Sequence, residues 1–176
     1  MTEAGDSTRA EDRGMATTSP VAVPPRGTYG VKLPKLPSWL MRFMTTAMFS
    51  FYRNRPFRGG KVLALHTIGA KSGQPRKSVV AYFPEGDNAW LIAASGAGMA
   101  THPAWFFNLA AHPEKAKIEI GHQTINVKAE TLTGEARTKA WQRITRDMPN
   151  FKEYETRTDR EIPVVRLMAV PADNSR

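Results

Sequence analysis

The sequence predicts a mainly β (α+β) domain, a small six-stranded antiparallel barrel with short peripheral helices. Three observations predict it. Beyond residue 60 the apolar residues fall into six short runs, several alternating with a period of two. Turn residues punctuate those runs, as in Glu85-Gly86-Asp87-Asn88 and Gly121-His122. One helical stretch interrupts the runs midway and another precedes the last of them, which suits a small barrel rather than a helix bundle. The chain has 176 residues, enough for one domain and a tail, and its 41% apolar content can fill a core.

Residues 1–30 hold Thr, Ser, Pro, Gly and charge with few large apolar groups, so they are expected to be a disordered tail. Glu3, Asp6, Glu11 and Asp12 and the lack of an apolar centre do not suit a signal peptide. The segment 31–55 is expected to be an amphipathic helix, formed over Leu36 to Asn54. Leu36, Leu40, Phe43, Ala47 and Phe51 recur at helical spacing, widened by Trp39, Met44 and Met48. Such a stripe either packs on the core or dips into an anionic membrane, with Trp39, Phe43 and Phe51 leading. The barrel is expected over 56–172. Its strands run from Lys61 to Ile68, Ser78 to Phe83, Ala89 to Ser95, Ala116 to Ile120, Thr124 to Leu132 and Ile162 to Val170. Its helices are Pro103 to Ala111, with proline in the first turn, and a helix capped by Thr133 that runs to about Met148. The helix between the third and fourth strands removes the need for those two to pair, so the barrel is expected to be partly open there.

The absence of cysteine removes disulfides, thiolate metal sites and cysteine nucleophiles, and fits a reducing, cytoplasmic setting. The four histidines lack metal-ligand spacing, so no metal is expected. The net charge is +9. It is concentrated: from Val31 to Lys77 there are ten basic residues and no acidic one. Mixed signs are the usual way to keep a surface soluble, so this block predicts a face that meets negative charge. Aromatic residues do not interleave the basic turn, which argues against a nucleic-acid partner. Ala70 stands where a Walker motif needs glycine, and a strand follows where it needs a helix, so nucleotide hydrolysis is excluded.

Three segments carry chemistry. Gly69-Ala70-Lys71-Ser72-Gly73-Gln74-Pro75-Arg76-Lys77-Ser78 is a tight turn whose cations, hydroxyls and backbone amides suit a phosphate or carboxylate. Ala93-Ala94-Ser95-Gly96-Ala97-Gly98 ends a strand in small residues that let a flat ring approach the backbone. His102-Pro103-Ala104-Trp105-Phe106-Phe107-Asn108-Leu109 starts a helix after a small-residue loop. Trp105 there walls a pocket or fills the core.

In this order and spacing, the three segments resemble the deazaflavin-dependent nitroreductase family, actinobacterial reductases and quinone reductases that use coenzyme F420. The likeness covers about Leu36 to Val170 and includes Met148 to Tyr154 and Thr158 to Val165. It implies a split β-barrel of the FMN-binding type and a coenzyme with a phosphate and an oligoglutamate tail. By the resemblance, Lys71 and Arg76 grip phosphate and tail, with Ser72, Gly73, Lys77 and Ser78 alongside. Ala93, Ala94, Ser95 and Gly96 lie along the deazaflavin, and Ala104, Trp105 and Asn108 close the far side. Relatives often carry a basic residue at the place of Ala70 and a lysine at that of Gly96; both are absent here. The expected activity is hydride transfer from reduced F420 to a quinone, a conjugated enone or a nitroaromatic. Ser95 and Tyr154 are the candidate catalytic donors, and Ala81, Met148, Phe151 and Tyr154 the candidate substrate pocket. The alternatives are the same barrel with FMN, or a non-catalytic F420 carrier. The protein is expected to be a monomer or homodimer, cytoplasmic, with peripheral contact to the inner membrane face.

Overall fold

The computed structural model describes residues 19–32, 37–52 and 60–171. Helix α1 (Ser38–Tyr52) precedes a meander of β1 (Lys61–Ile68), β2 (Pro75–Pro84) and β3 (Ala89–Ala93). Helix α2 (Ala104–Ala111) leads to the hairpin of β4 (Ala116–Ile120) and β5 (Gln123–Thr131). Helices α3 (Gly134–Asp147) and α4 (Asn150–Thr156) precede β6 (Val164–Ala169). Every pairing is antiparallel, in the cyclic order β1-β2-β3-β6-β5-β4.

The mainly β barrel expected from the sequence is therefore present. As expected, β3 and β4 do not pair. The barrel is nonetheless closed rather than partly open, because β6 inserts between β3 and β5 while β1 pairs with β4 from Ala64↔Glu119 to His66↔Lys117. Closure leaves no strand edge to template aggregation.

Two apolar clusters result. Leu63, Leu65, Ile92, Ile118, Val165 and Leu167 are fully buried in the first, together with Trp105, Phe106 and Leu109 of α2. In the second, Trp141, Ile144, Met148 and Phe151 pack against Phe83, Leu91 and Val164 of the sheet. Thr133 stands at the N-cap of α3, but its hydroxyl makes no capping bond. Helix α4 was not anticipated from the sequence; it is only seven residues long and mostly polar.

Two expectations outside the barrel need correction. The disorder expected over residues 1–30 does not describe residues 19–30, while residues 1–18 lie outside the described residues. Val21 is buried at 2% exposure, and the Thr131 amide donates to the Pro20 carbonyl at 3.0 Å. Backbone hydrogen bonds hold this strap where apolar content is low. Helix α1 does pack on β1 and β2, with Leu40 and Met48 of the stripe half-buried. Among its described side chains Phe49, outside the stripe, is the fully buried one, with the Lys77 ammonium 4.6 Å from its ring centre. Phe43 and Phe51 of the stripe are 68% and 57% exposed. Leu36 and the basic residues 53–58 lie outside the described residues. Among the described residues, no helix is long and apolar enough to cross a membrane.

Candidate active site

The β1–β2 register runs from Lys61↔Tyr82 to Ile68↔Pro75, which makes residues 69–74 a tight connection. The Gly73 amide donates to the Gly69 carbonyl at 2.8 Å, and the Gly69 amide to the Gln74 carbonyl at 2.9 Å. A Cβ on Gly69 would lie 2.5 Å from Ser72 Oγ, so a side chain there would displace the hydroxyl that Arg76 holds. Arg76 Nη2 donates to Ser72 Oγ at 3.2 Å. The turn is tethered to α2 as well. The Ala70 amide donates to Asn108 Oδ1 at 3.0 Å, and Asn108 Nδ2 donates to Thr67 Oγ1 at 3.1 Å. Asn108 is buried with bonds at both ends of its amide, so it serves as a brace for the basic turn.

Beside the turn lies a cavity of about 510 Å³ under α1, lined among others by Thr46, His66, Arg76, Lys77, Lys115 and Lys117. Glu119 enters this cationic surface: Lys77 Nζ donates to it at 3.0 Å, and His66 Nε2 lies 3.4 Å away. The basic block therefore meets one carboxylate in space although it has none in sequence. Positive charge still predominates, which suits a long anion.

The second part of the site is the loop after β3. Ala93 and Ala94 are buried on opposite sides, one in each apolar cluster. Only their backbone can meet a ring. Ser95 follows at 9% exposure. Gly96, Ala97 and Gly98 all have positive φ, at 52°, 54° and 84°. A Cβ on Gly98 would come 2.7 Å from Arg157 Cβ and 3.2 Å from the Tyr154 carbonyl, so the loop sits directly on the end of α4. That contact sets the Gly98 end of the loop against the backbone of Tyr154. Asn150 Nδ2 donates to the Tyr154 hydroxyl at 3.1 Å.

The candidates from the sequence thus separate into groups. Arg76 and Lys77 line the cavity; Lys71, Ser72 and Gly73 form the exposed turn; Ser78 is half-buried further along β2. Ser95 and Gly96 begin the loop, and Tyr154 meets its Gly98 end through the backbone. Ala104 is exposed at the start of α2, whereas Trp105 fills the core. Met148 and Phe151 are core residues of the second cluster, with Ala81 and Tyr154 partly buried at its margin. The Phe151 ring packs edge-on against Phe83 at 5.9 Å and Trp141 at 6.4 Å. Sequence reasoning missed His66, Lys115 and Lys117. The even spacing of the two lysines was the available signal, but the β1–β4 register that sets Lys117 beside His66 was not readable.

Related sequences and folds are found among known proteins. A family model described as F420H(2)-dependent quinone reductase matches residues 27–169. An F420H(2)-dependent quinone reductase of Mycobacterium tuberculosis is 39% identical over 108 residues, covering 60% of this chain and 71% of the relative. Among solved structures, an F420-H2 dependent reductase (FDR-A) superposes with a TM-score of 0.55 at 33% identity, over 60% of this chain and 92% of that one. A second, described as a domain-swapped dimer, gives a TM-score of 0.56 at 28% identity, over 73% of this chain and 96% of that one.

Proposed function

Since the chain belongs to the F420H(2)-dependent quinone reductase family, we propose that it passes a hydride from reduced coenzyme F420 to a quinone, with conjugated enones as a second acceptor class. The observation that carries this reading is the cationic cavity continuous with the basic turn. A phosphate with an oligoglutamate tail is the kind of ligand such a donor set fits, and FMN would leave Lys115 and Lys117 without a partner anion. When bound, the reduced deazaflavin supplies the hydride.

The residues of the chain bind and polarise. Lys71 and Arg76 hold the phosphate, with Ser72, Gly73 and Ser78 alongside. Lys77, Lys115 and Lys117 take the tail. The backbone from Ala93 to Gly96 gives the ring a flat support. Ser95 donates a hydrogen bond to the acceptor oxygen as negative charge develops there, and Tyr154 is the second donor. One such donor contributes about 3 kcal/mol to lowering the barrier. Ala81 keeps one side of the pocket margin small and apolar, which favours a quinone over a nitroaromatic. The exposed Phe43, Met44 and Phe51 of α1 support contact with an anionic membrane, where a lipid-soluble quinone resides.

The test is a fluorescence titration with oxidised F420 and with FMN, followed by turnover of reduced F420 with menaquinone analogues. F420 binding and quinone turnover are expected. Binding of FMN alone would overturn the cofactor assignment, and F420 binding without turnover would make the protein a carrier. Lys71→Ala with Arg76→Ala removes two charge-assisted contacts of about 1.5 kcal/mol each, so affinity should fall roughly a hundredfold.

A further inference from the structure

We infer that Arg160, and the strap of residues 24–31 behind it, are positioning elements of the hydride-transfer site that fix the Ser95 loop from outside. The inference rests on the reading of Ser95 as the polarising donor.

Arg160 is 5% exposed. Its Nε donates to the Met99 carbonyl at 2.7 Å, and its Nη2 to the carbonyls of Ala94 at 3.0 Å and Ser95 at 2.6 Å. Its Nη1 reaches His102 Nδ1 at 3.2 Å and the Glu161 carbonyl at 3.4 Å. Among the described residues no carboxylate pairs with it. A buried cation is costly unless fully hydrogen-bonded, and here backbone carbonyls and one imidazole do all of that. The planar fork holds carbonyls at both ends of the loop 94–99. Because each peptide unit is planar, fixing the Ala94 and Ser95 carbonyls fixes the two peptide planes that flank the Ser95 Cα, and with them the direction of its Cα–Cβ bond.

The loop needs such restraint. Three successive residues lie in the left-handed region, and one of them is Ala97. An L-residue there costs about 1 kcal/mol, and the conformation persists only when its surroundings over-determine it.

The strap supplies the remaining restraint. The Gly27 amide donates to the Ala100 carbonyl at 2.8 Å, and the Val31 amide to the Gly98 carbonyl at 2.9 Å. Gly30 lies against the Ala100 backbone nitrogen so closely that any side chain would collide. On the other flank, Asp159 accepts from the Thr28 amide at 2.8 Å and hydroxyl at 2.6 Å, and the Thr158 hydroxyl donates to the Tyr29 carbonyl at 3.0 Å. His102 completes the line. The Pro24 carbonyl, 2.9 Å from its Nε2, can only accept, and the guanidinium can only donate. The imidazole is therefore neutral with its proton on Nε2. A continuous chain of contacts runs from Pro24 through His102 and Arg160 to the Ser95 carbonyl.

The test uses the full chain with two substitutions that touch neither cofactor nor acceptor: Gly30→Ala and Arg160→Lys, which keeps the charge and loses the fork. Hydrogen exchange is followed at the amides of residues 96–102, with and without F420. F420 affinity, kcat and KM are measured on the same samples. Arg166→Lys, in an ion-pair network away from the loop, controls for general destabilisation. The expected result is exchange about tenfold faster in the loop with the barrel strands unchanged, and a kcat about tenfold lower with F420 affinity within a factor of about three. Arg166→Lys should leave both readouts in place. Unchanged loop exchange in both substitutions would overturn the inference. So would faster exchange with unchanged kcat. If Ser95→Ala retains full turnover while both substitutions lower kcat, the positioning role stands and the donor assignment to Ser95 falls.

Discussion

Asn108→Ala separates a brace from a cofactor contact. The Asn108 side chain makes two hydrogen bonds, to the Ala70 amide and to Thr67 Oγ1. Removing it deletes both, each worth about 1 kcal/mol net. Ala70 is exposed, so water can satisfy its amide again. Thr67 is 4% exposed and has no such substitute; its stranded hydroxyl adds about 1 kcal/mol. The total loss is about 3 kcal/mol, equivalent to a fall in Tm of about 6–12 °C for a domain of this size. Urea unfolding measures it. A double-mutant cycle with Thr67→Val should return a coupling of about 2 kcal/mol, because either single variant already loses the shared bond and the valine leaves no hydroxyl to strand. F420 affinity should fall about tenfold in step, since the turn carrying Lys71 and Arg76 loses its tether to α2. A loss below about 0.5 kcal/mol with no coupling to Thr67 would refute the brace. Lost affinity with intact stability would return Asn108 to the cofactor-contact role that the family likeness implied.

Three further outcomes are expected. Burial holds His102 below the ordinary histidine range, so its contribution to stability is complete above the unfolded value of about 6.5 and is lost as pH falls through the lower folded value; Tm should drop between pH 7 and pH 5, and His102→Gln should remove that step. Phe151→Ala should cost about 3–4 kcal/mol in urea unfolding by opening a cavity between Phe83 and Trp141; a large change in acceptor KM with unchanged stability would restore Phe151 to the substrate pocket. Phe43→Ser with Phe51→Ser should reduce sedimentation with anionic vesicles without changing Tm, because both side chains are exposed; equal sedimentation would remove α1 from any membrane contact.

The barrel was legible because each strand announces itself within a few residues: Ile125, Val127 and Ala129 alternate against Asn126, Lys128 and Glu130. The basic turn was legible for the same local reason. What stayed hidden depends on partners far away in the chain. Residues 24–31 look like a tail because composition records apolar content, whereas this strap is held by backbone amides and by two glycines that allow close approach. Arg160 sits in Thr158-Asp159-Arg160-Glu161, a run that reads as a solvated charged turn, yet its guanidinium is enclosed by carbonyls from residues 94, 95 and 99. Helix α1 shows a third limit. Its periodicity correctly marks an apolar face, but a period says which residues lie together and not what they lie against. Phe49, off that stripe, is buried, with the Lys77 ammonium of β2 over its ring. Phe43, Met44 and Phe51 of the stripe are exposed, so part of the pattern that looked like a core signal describes an apolar surface. Exposed apolar surface of this kind marks a place of contact, which is why the vesicle assay is aimed at Phe43 and Phe51.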